Sequence, residues 1–150
     1  SSILPGTPVL VLAFQNGIKL DPQFSGIVLG KIFIDKNHHL CMAVWPSPKR
    51  WDESLPPPMK CEVLMENVQN MEFHFYIPPK KDREKVWKQA NINVKLSEEF
   101  PSTESGEWVD NWLESWRQLP GMAEITVVPV EGEPFTIAYP LPNSNLMVVY

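Results

Sequence analysis

At 150 residues the chain has the length of one domain able to bury a core without covalent staples. Hydrophobic residues are 43% and charged residues 21%, which excludes a disordered chain. A formal net charge of −5, with only short basic clusters at Lys49-Arg50 and Lys80-Lys81-Asp82-Arg83, excludes a nucleic-acid footprint. Such short clusters read as solvated faces or loop tips.

The chain begins Ser1-Ser2-Ile3-Leu4-Pro5 without Met, so the expectation is that a targeting or anchoring segment lies upstream. Neither a signal-peptide pattern nor a run of 18 apolar residues is found within it. Its 16 prolines are spread between apolar runs, as suits a strand-rich fold with irregular connections.

The first apolar run, Val9-Leu10-Val11-Leu12-Ala13-Phe14, stops at Gln15-Asn16-Gly17, where Asn-Gly signals a turn. Ile18-Lys19-Leu20 alternates briefly before Asp21-Pro22, so the segment reads as a strand or a small hairpin. Residues 26–34 and 39–45 are both β-rich and are joined by Asp35-Lys36-Asn37-His38, which predicts an antiparallel hairpin. In its second arm Leu40, Met42 and Val44 share one face and Cys41, Ala43 and Trp45 the other. Both faces are apolar, so this strand is expected to be covered on both sides.

Residues 46–58 form a long Pro-rich loop with Trp51 stranded among polar neighbours. A strand at 59–65 places Cys61, Val63 and Met65 on one face, and 66–70 reads as a turn. The clearest alternation follows: Met71, Phe73, Phe75 and Ile77 inward, Glu72, His74 and Tyr76 outward. Beyond Pro78-Pro79 a short helix is expected over 82–90 with Asp82 as N-cap, then a strand at 91–96 and a polar loop at 97–106.

Three of the six tryptophans, Trp108, Trp112 and Trp116, then recur at a spacing of four before Leu119-Pro120 stops the segment. On a helix this spacing makes one face. On an irregular extended piece, parity still puts Trp108 and Trp112 on one side. At least two of the three are expected to fill the core. Strand patterns at 123–128 and 135–139 flank the turn Glu131-Gly132-Glu133-Pro134, and Leu146-Met147-Val148-Val149-Tyr150 reads as a terminal strand. The sum is a mainly β or α+β domain of antiparallel sheets with little helix, spanning residues 1–150.

No catalytic constellation emerges. There is no Gly-x-Ser-x-Gly, no phosphate-cradling glycine loop and no His-Glu-x-x-His. His38 and His39 are adjacent, so on a strand they point to opposite faces and do not ligate one metal together. The acids Glu98, Glu99, Glu104, Glu107 and Asp110 lack the Asp-x-Asp-x-Asp-Gly order of a calcium loop and read as a solvated loop. No cofactor and no enzymatic activity are expected. Cys41 and Cys61 are the only cysteines. Either they pair in an oxidising compartment, closing a loop worth about 3 kcal/mol, or they are free buried thiols acting as small hydrophobes.

Three local patterns resemble the globular domain of the J-type minor pseudopilin of type II secretion systems. The first is the strand pair around Phe24-Ser25-Gly26 and Leu40-Cys41-Met42-Ala43-Val44-Trp45. The second is a leader strand running from Cys61 through Val63 to Phe73-His74-Phe75-Tyr76. The third is Trp108 with Trp112 or Trp116, leading through Leu119-Pro120 into the alternation Ala123-x-Ile125-x-Val127. The last two patterns carry the resemblance and cover about half the chain. Against the pseudopilin pattern, the stretch 78–105 is long.

The resemblance implies a non-enzymatic, two-sheet periplasmic domain of a pilus-like filament that serves protein secretion. It implies I-type and K-type minor pseudopilins as partners at the filament tip. It also implies an N-terminal hydrophobic helix, outside this chain, that anchors the protein in the bacterial inner membrane. The alternative reading of the tryptophans is a secreted carbohydrate-binding module with Trp51, Trp108, Trp112 and Trp116 as a stacking platform.

Overall fold

The computed structural model describes residues 2–48, 52, 54–82, 84, 101, 104–113, 116 and 119–141. Eight strands form two four-stranded sheets among these residues. The first sheet, in the order β1-β2-β3-β4, is built from β1 (Leu10–Gln15), β2 (Ile27–Ile34), β3 (Leu40–Pro46) and β4 (Lys60–Met65). The second, in the order β6-β5-β7-β8, contains β5 (Val68–Ile77), β6 (Glu107–Val109), β7 (Met122–Pro129) and β8 (Phe135–Pro140). The fold is therefore mainly β with little helix. The chain divides into two compact units, Ser1–Met71 with Val128–Pro134 and Glu72–Val127 with Phe135–Tyr150.

In the first unit β2 pairs antiparallel with both β1 and β3. The β2–β3 hairpin forms as the sequence predicts, because Asp35 organises its turn. The Asp35 carboxylate oxygen accepts from the N–H of Asn37 and of His39, both at 2.9 Å, and the Asp35 carbonyl accepts from His38 N–H. His38 closes the turn with φ +62°. Leu40, Cys41 and Ala43 are buried, so apolar side chains lie buried on both faces of β3. Phe33, Cys41 and Ala43 form a core cluster with Ile3 and Trp45 against it.

The alternation at 18–20 does not become a strand. Asn16 N–H donates to Gly26 O and Gly26 N–H to Gly17 O, which closes residues 16–26 into a loop and gives β1 to β2 as its partner. Ile18 and Leu20 are fully exposed on that loop. Asp21 caps the 3-10 turn Pro22–Phe24, and the buried Phe24 ring lies 4.0 Å beneath the Lys60 ammonium.

The turn expected over 66–70 is shorter. Asn67 adopts φ +57°, a left-handed conformation that Asn tolerates, so two residues reverse the chain and β5 starts at Val68. In the second unit β5 is the central organiser. Its inward residues are buried as the alternation predicts, with Ile77 fully so. Gly132, at φ +105°, turns β7 into β8, and Thr126 faces Thr136 across that pair with hydroxyls 2.7 Å apart.

Helix expected from an N-cap at Asp82 begins earlier: Lys80, Lys81, Asp82 and Glu84 are already helical, and Asp82 N–H donates to Pro79 O. Pro78-Pro79 sets the entry, and a proline just before the first turn costs no hydrogen bond. The remainder of that helix, the strands expected at 91–96 and 146–150, and Trp51 lie outside the described residues.

Candidate functional site

Among the described residues the tryptophan segment is not an α-helix. Glu107–Val109 is a strand paired with β5, residues 110–113 are irregular, and a 3-10 turn stands at Trp116. The register sets Val109 opposite Phe75 and Trp108 opposite Tyr76. Trp108 therefore lies on the outward face of β5, where its ring stands 5.3 Å from that of Tyr76 at 49°. After Val109 the chain bends at Asp110, and parity is lost. Trp112 packs 6.1 Å from Phe75 on the inward face and meets Trp116 edge-on at 4.9 Å. Trp108 and Trp112 are thus on opposite faces of the sheet, not on the one side that parity predicts.

Trp116 is buried against Ile77, with Val109 and Trp112 around it. Pro120 is buried and Leu119 exposed; Leu119-Pro120 delivers the chain to Gly121, whose N–H donates to Tyr76 O just before β7 starts. Two of the three tryptophans thus serve the interior and one the surface.

Tyr76 is tightly framed. A methyl group added at Gly106 would fall within the Tyr76 ring, and one at Gly121 would meet Pro78 at 2.9 Å and Tyr76 at 3.4 Å. Next to the aromatic pair, His74 Nε2 lies 3.4 Å from the carboxylate of Asp110, whose side chain is 90% exposed. The outward residues of β5 and β6 with this bend are therefore Glu72, His74, Tyr76, Trp108 and Asp110. Sequence reasoning marked His74 and Tyr76 as outward but did not join them to Trp108, because that needs the register between strands separated by some thirty residues.

Cys41 and Cys61 are free, the first buried and the second exposed on edge strand β4. Cys41 stands opposite Val63 and Cys61 opposite Ala43, a diagonal relation. Diagonal Cα atoms are about 7–8 Å apart, beyond the roughly 6.8 Å a disulfide spans, so a bridge requires the strands to shift. Burial, then the charge of Asp35 and the neighbouring Cys61 thiol, push the Cys41 thiol up to about 11.

Among the described residues no group of three or more His, Cys, Asp or Glu converges as a metal site. His38 and His39 do diverge: His38 Nδ1 is 3.2 Å from Val68 O, while His39 Nδ1 is 3.4 Å from Asp35. In the first unit an open concavity of about 420 Å³ is lined by Met65, Glu66, Asn67, Pro129, Val130 and Glu131. Its two carboxylates, Glu66 and Glu131, are both exposed. No helix among the described residues is long and apolar enough to cross a membrane. No protein-family model matches the chain, and no curated protein matches it.

Proposed function

We propose that this chain is the globular part of a non-enzymatic assembly subunit, a J-type-like minor pseudopilin at the tip of a type II secretion pseudopilus. The observation that carries the reading is the way the second and third sequence patterns meet. The leader segment is not one strand: Cys61–Met65 is β4 in the first sheet, and only its second part becomes β5, with the tryptophan segment as β6 on one side of it and Leu119-Pro120 leading into β7 on the other. Trp112 and Trp116 join these pieces through Phe75 and Ile77. The second part of the leader segment and the tryptophan-to-β7 pattern thus meet in one sheet. Abundant exposed apolar residues, among them Val11, Ile27, Val63 and Ile137, suit a protein that buries surface against others.

In this reading the protein acts in the periplasm, joins I-type and K-type minor pseudopilins, and is tethered by a hydrophobic helix upstream. The test is to mix the chain with the globular domains of those two partners from the same genome and measure mass by light scattering after gel filtration. A heterocomplex of defined stoichiometry is expected. Independent elution of all three at micromolar concentration, together with a native reading frame lacking any upstream apolar segment, overturns the proposal.

The carbohydrate-module reading draws less support. It needs a row of exposed rings, and of the three tryptophans in this segment only Trp108 presents one.

A further inference from the structure

The pair Trp108–Tyr76 has a geometry and a charge that the assembly role alone does not use. Trp108 keeps 44% of its surface exposed although it is a large apolar side chain. The two rings meet at 49°, so they make two walls and not one flat floor. The Tyr76 ring lies against the backbone at Gly106, in space that exists only while residue 106 has no side chain. Along the same face Asp110 projects almost fully into solvent and Glu72 is exposed. The outward residues of β5, Trp108 and Asp110 include no Lys or Arg, and the one basic side chain among them is His74, 3.4 Å from the Asp110 carboxylate, with which an incoming cation would share it.

Aromatic faces carry negative electrostatic potential and attract cations. A carboxylate at the edge of the pair adds to the same field. A sugar ring would gain stacking from a flat platform, which the tilt denies it; its hydroxyls donate to a carboxylate but bring no charge to meet the field. A guanidinium gains from both, since it is planar, stacks on aromatic rings and forks onto a carboxylate. We propose that the Trp108–Tyr76 pair, with Asp110 beside it, is a receptor for an arginine side chain presented by a partner protein. The proposal rests on the assembly reading for the nature of its partner, and on charge complementarity for the residue the partner brings. The arginine plane covers the exposed indole and its N–H groups reach the Asp110 carboxylate.

The test uses the whole chain, ¹⁵N-labelled, titrated with a peptide of alternating glycine and arginine and with its twin in which citrulline replaces arginine. Citrulline keeps the shape and removes the charge. Expected are saturable shifts of the Trp108 indole N–H and of the Trp108 and Asp110 amides, at least about fivefold weaker binding of the citrulline peptide, and weakening by added salt. Asp110→Asn, at a solvent-exposed position, should weaken binding about threefold while leaving the spectrum intact beyond residue 110, its chain neighbours and His74. Trp108→Leu should abolish it.

Equal binding of the citrulline peptide, or no saturable shift at these residues, overturns the proposal. So do shifts at Trp108 produced by cello- or chito-oligosaccharides with the arginine peptide inert, which would make the pair a glycan platform. Because the probe is a peptide and not a pseudopilin, this result is read independently of whether the heterocomplex forms.

Discussion

Replacing Trp116 by alanine should destabilise the protein far more than replacing Trp108, although the two residues share one short segment and one spacing rule. Trp116 keeps 7% of its surface exposed and Trp108 keeps 44%. With about 200 Å² for a whole tryptophan side chain, folding removes roughly 190 Å² of Trp116 and roughly 110 Å² of Trp108 from water. At about 25 cal/mol per Å² these are about 4.7 and about 2.8 kcal/mol, both upper bounds because unfolded chains already bury some surface.

Only Trp116 leaves an enclosed void, beside Ile77 and Trp112, so the cavity cost falls on that variant alone. Trp108→Ala opens to solvent and forfeits one tilted aromatic contact, worth about 0.5–1.5 kcal/mol. The expected costs are about 4–5 kcal/mol for Trp116→Ala and about 2–3 kcal/mol for Trp108→Ala. Urea unfolding followed by far-UV circular dichroism measures both, since it does not depend on the deleted indoles. Equal losses, or a larger loss at Trp108, would refute the assignment of Trp116 to the interior and Trp108 to the surface.

Three further outcomes follow from the packing and the charges. In unreduced native protein, alkylation should modify Cys61 quickly and Cys41 only on unfolding, because Cys41 is buried with its thiol raised to about 11; two equal rates, or no free thiol at all, would contradict this. The carboxyl of Asp35 is held below the usual carboxylate range chiefly by the His39 N–H, helped by Asn37 N–H and the His39 charge and opposed by burial. A depressed folded-state value means its stabilisation is present above the unfolded value near 3.9 and lost as pH falls through the lower folded value. Thermal melts from about pH 5 to about pH 2 should therefore fall less steeply for Asp35→Asn, which keeps the turn acceptor but cannot titrate, and an unchanged slope would count against the buried turn carboxylate. Gly106→Ala should lower the melting temperature by a few degrees, at about 2–4 °C per kcal/mol, by displacing the Tyr76 ring, and the added loss should shrink in a Tyr76→Ala background; the same loss in both backgrounds would show that the ring is not what glycine accommodates.

Much of the strand pattern was readable where a long run kept one period. The alternation of Met71, Phe73, Phe75 and Ile77 extends over enough residues that burial on one face is the only consistent outcome. The hairpin of β2 and β3 was readable because a polar tetrapeptide with Asp35 separates two β-rich runs. The tryptophan segment was not, because a spacing of four fits a helix and an extended chain equally, and the bend at Asp110 obeys neither. Among the described residues only three of the segment pair as a strand, and what holds them is β5, from which a long stretch of chain separates them. The same separation hid the aromatic pair. The one local signal was Gly106, two residues before Trp108, at a place where an ordinary side chain would collide with something large. The turn at 66–70 was readable but its shortness was not, because left-handed backbone at a non-glycine residue such as Asn67 is set by what it connects.

That reversal has a kinetic consequence. His38 O accepts from Val68 N–H, and Asn67 O accepts from Val130 N–H. The hairpin turn of β2 and β3 is therefore tied to the start of β5, and the turn before β5 is tied to residues just past the end of β7. Hairpins close within microseconds, but these ties must wait for distant segments to arrive, which slows folding in proportion to the loops that are closed. Asn67, whose carbonyl is tied to Val130, would thus be locked in its left-handed geometry late, whereas His38 reaches its own with the local hairpin. Replacing Asn67 by glycine, which adopts it freely, should leave the folding rate nearly unchanged and alter mainly the rate of unfolding. The turn is then a latch that closes behind the folding chain and keeps it from reopening.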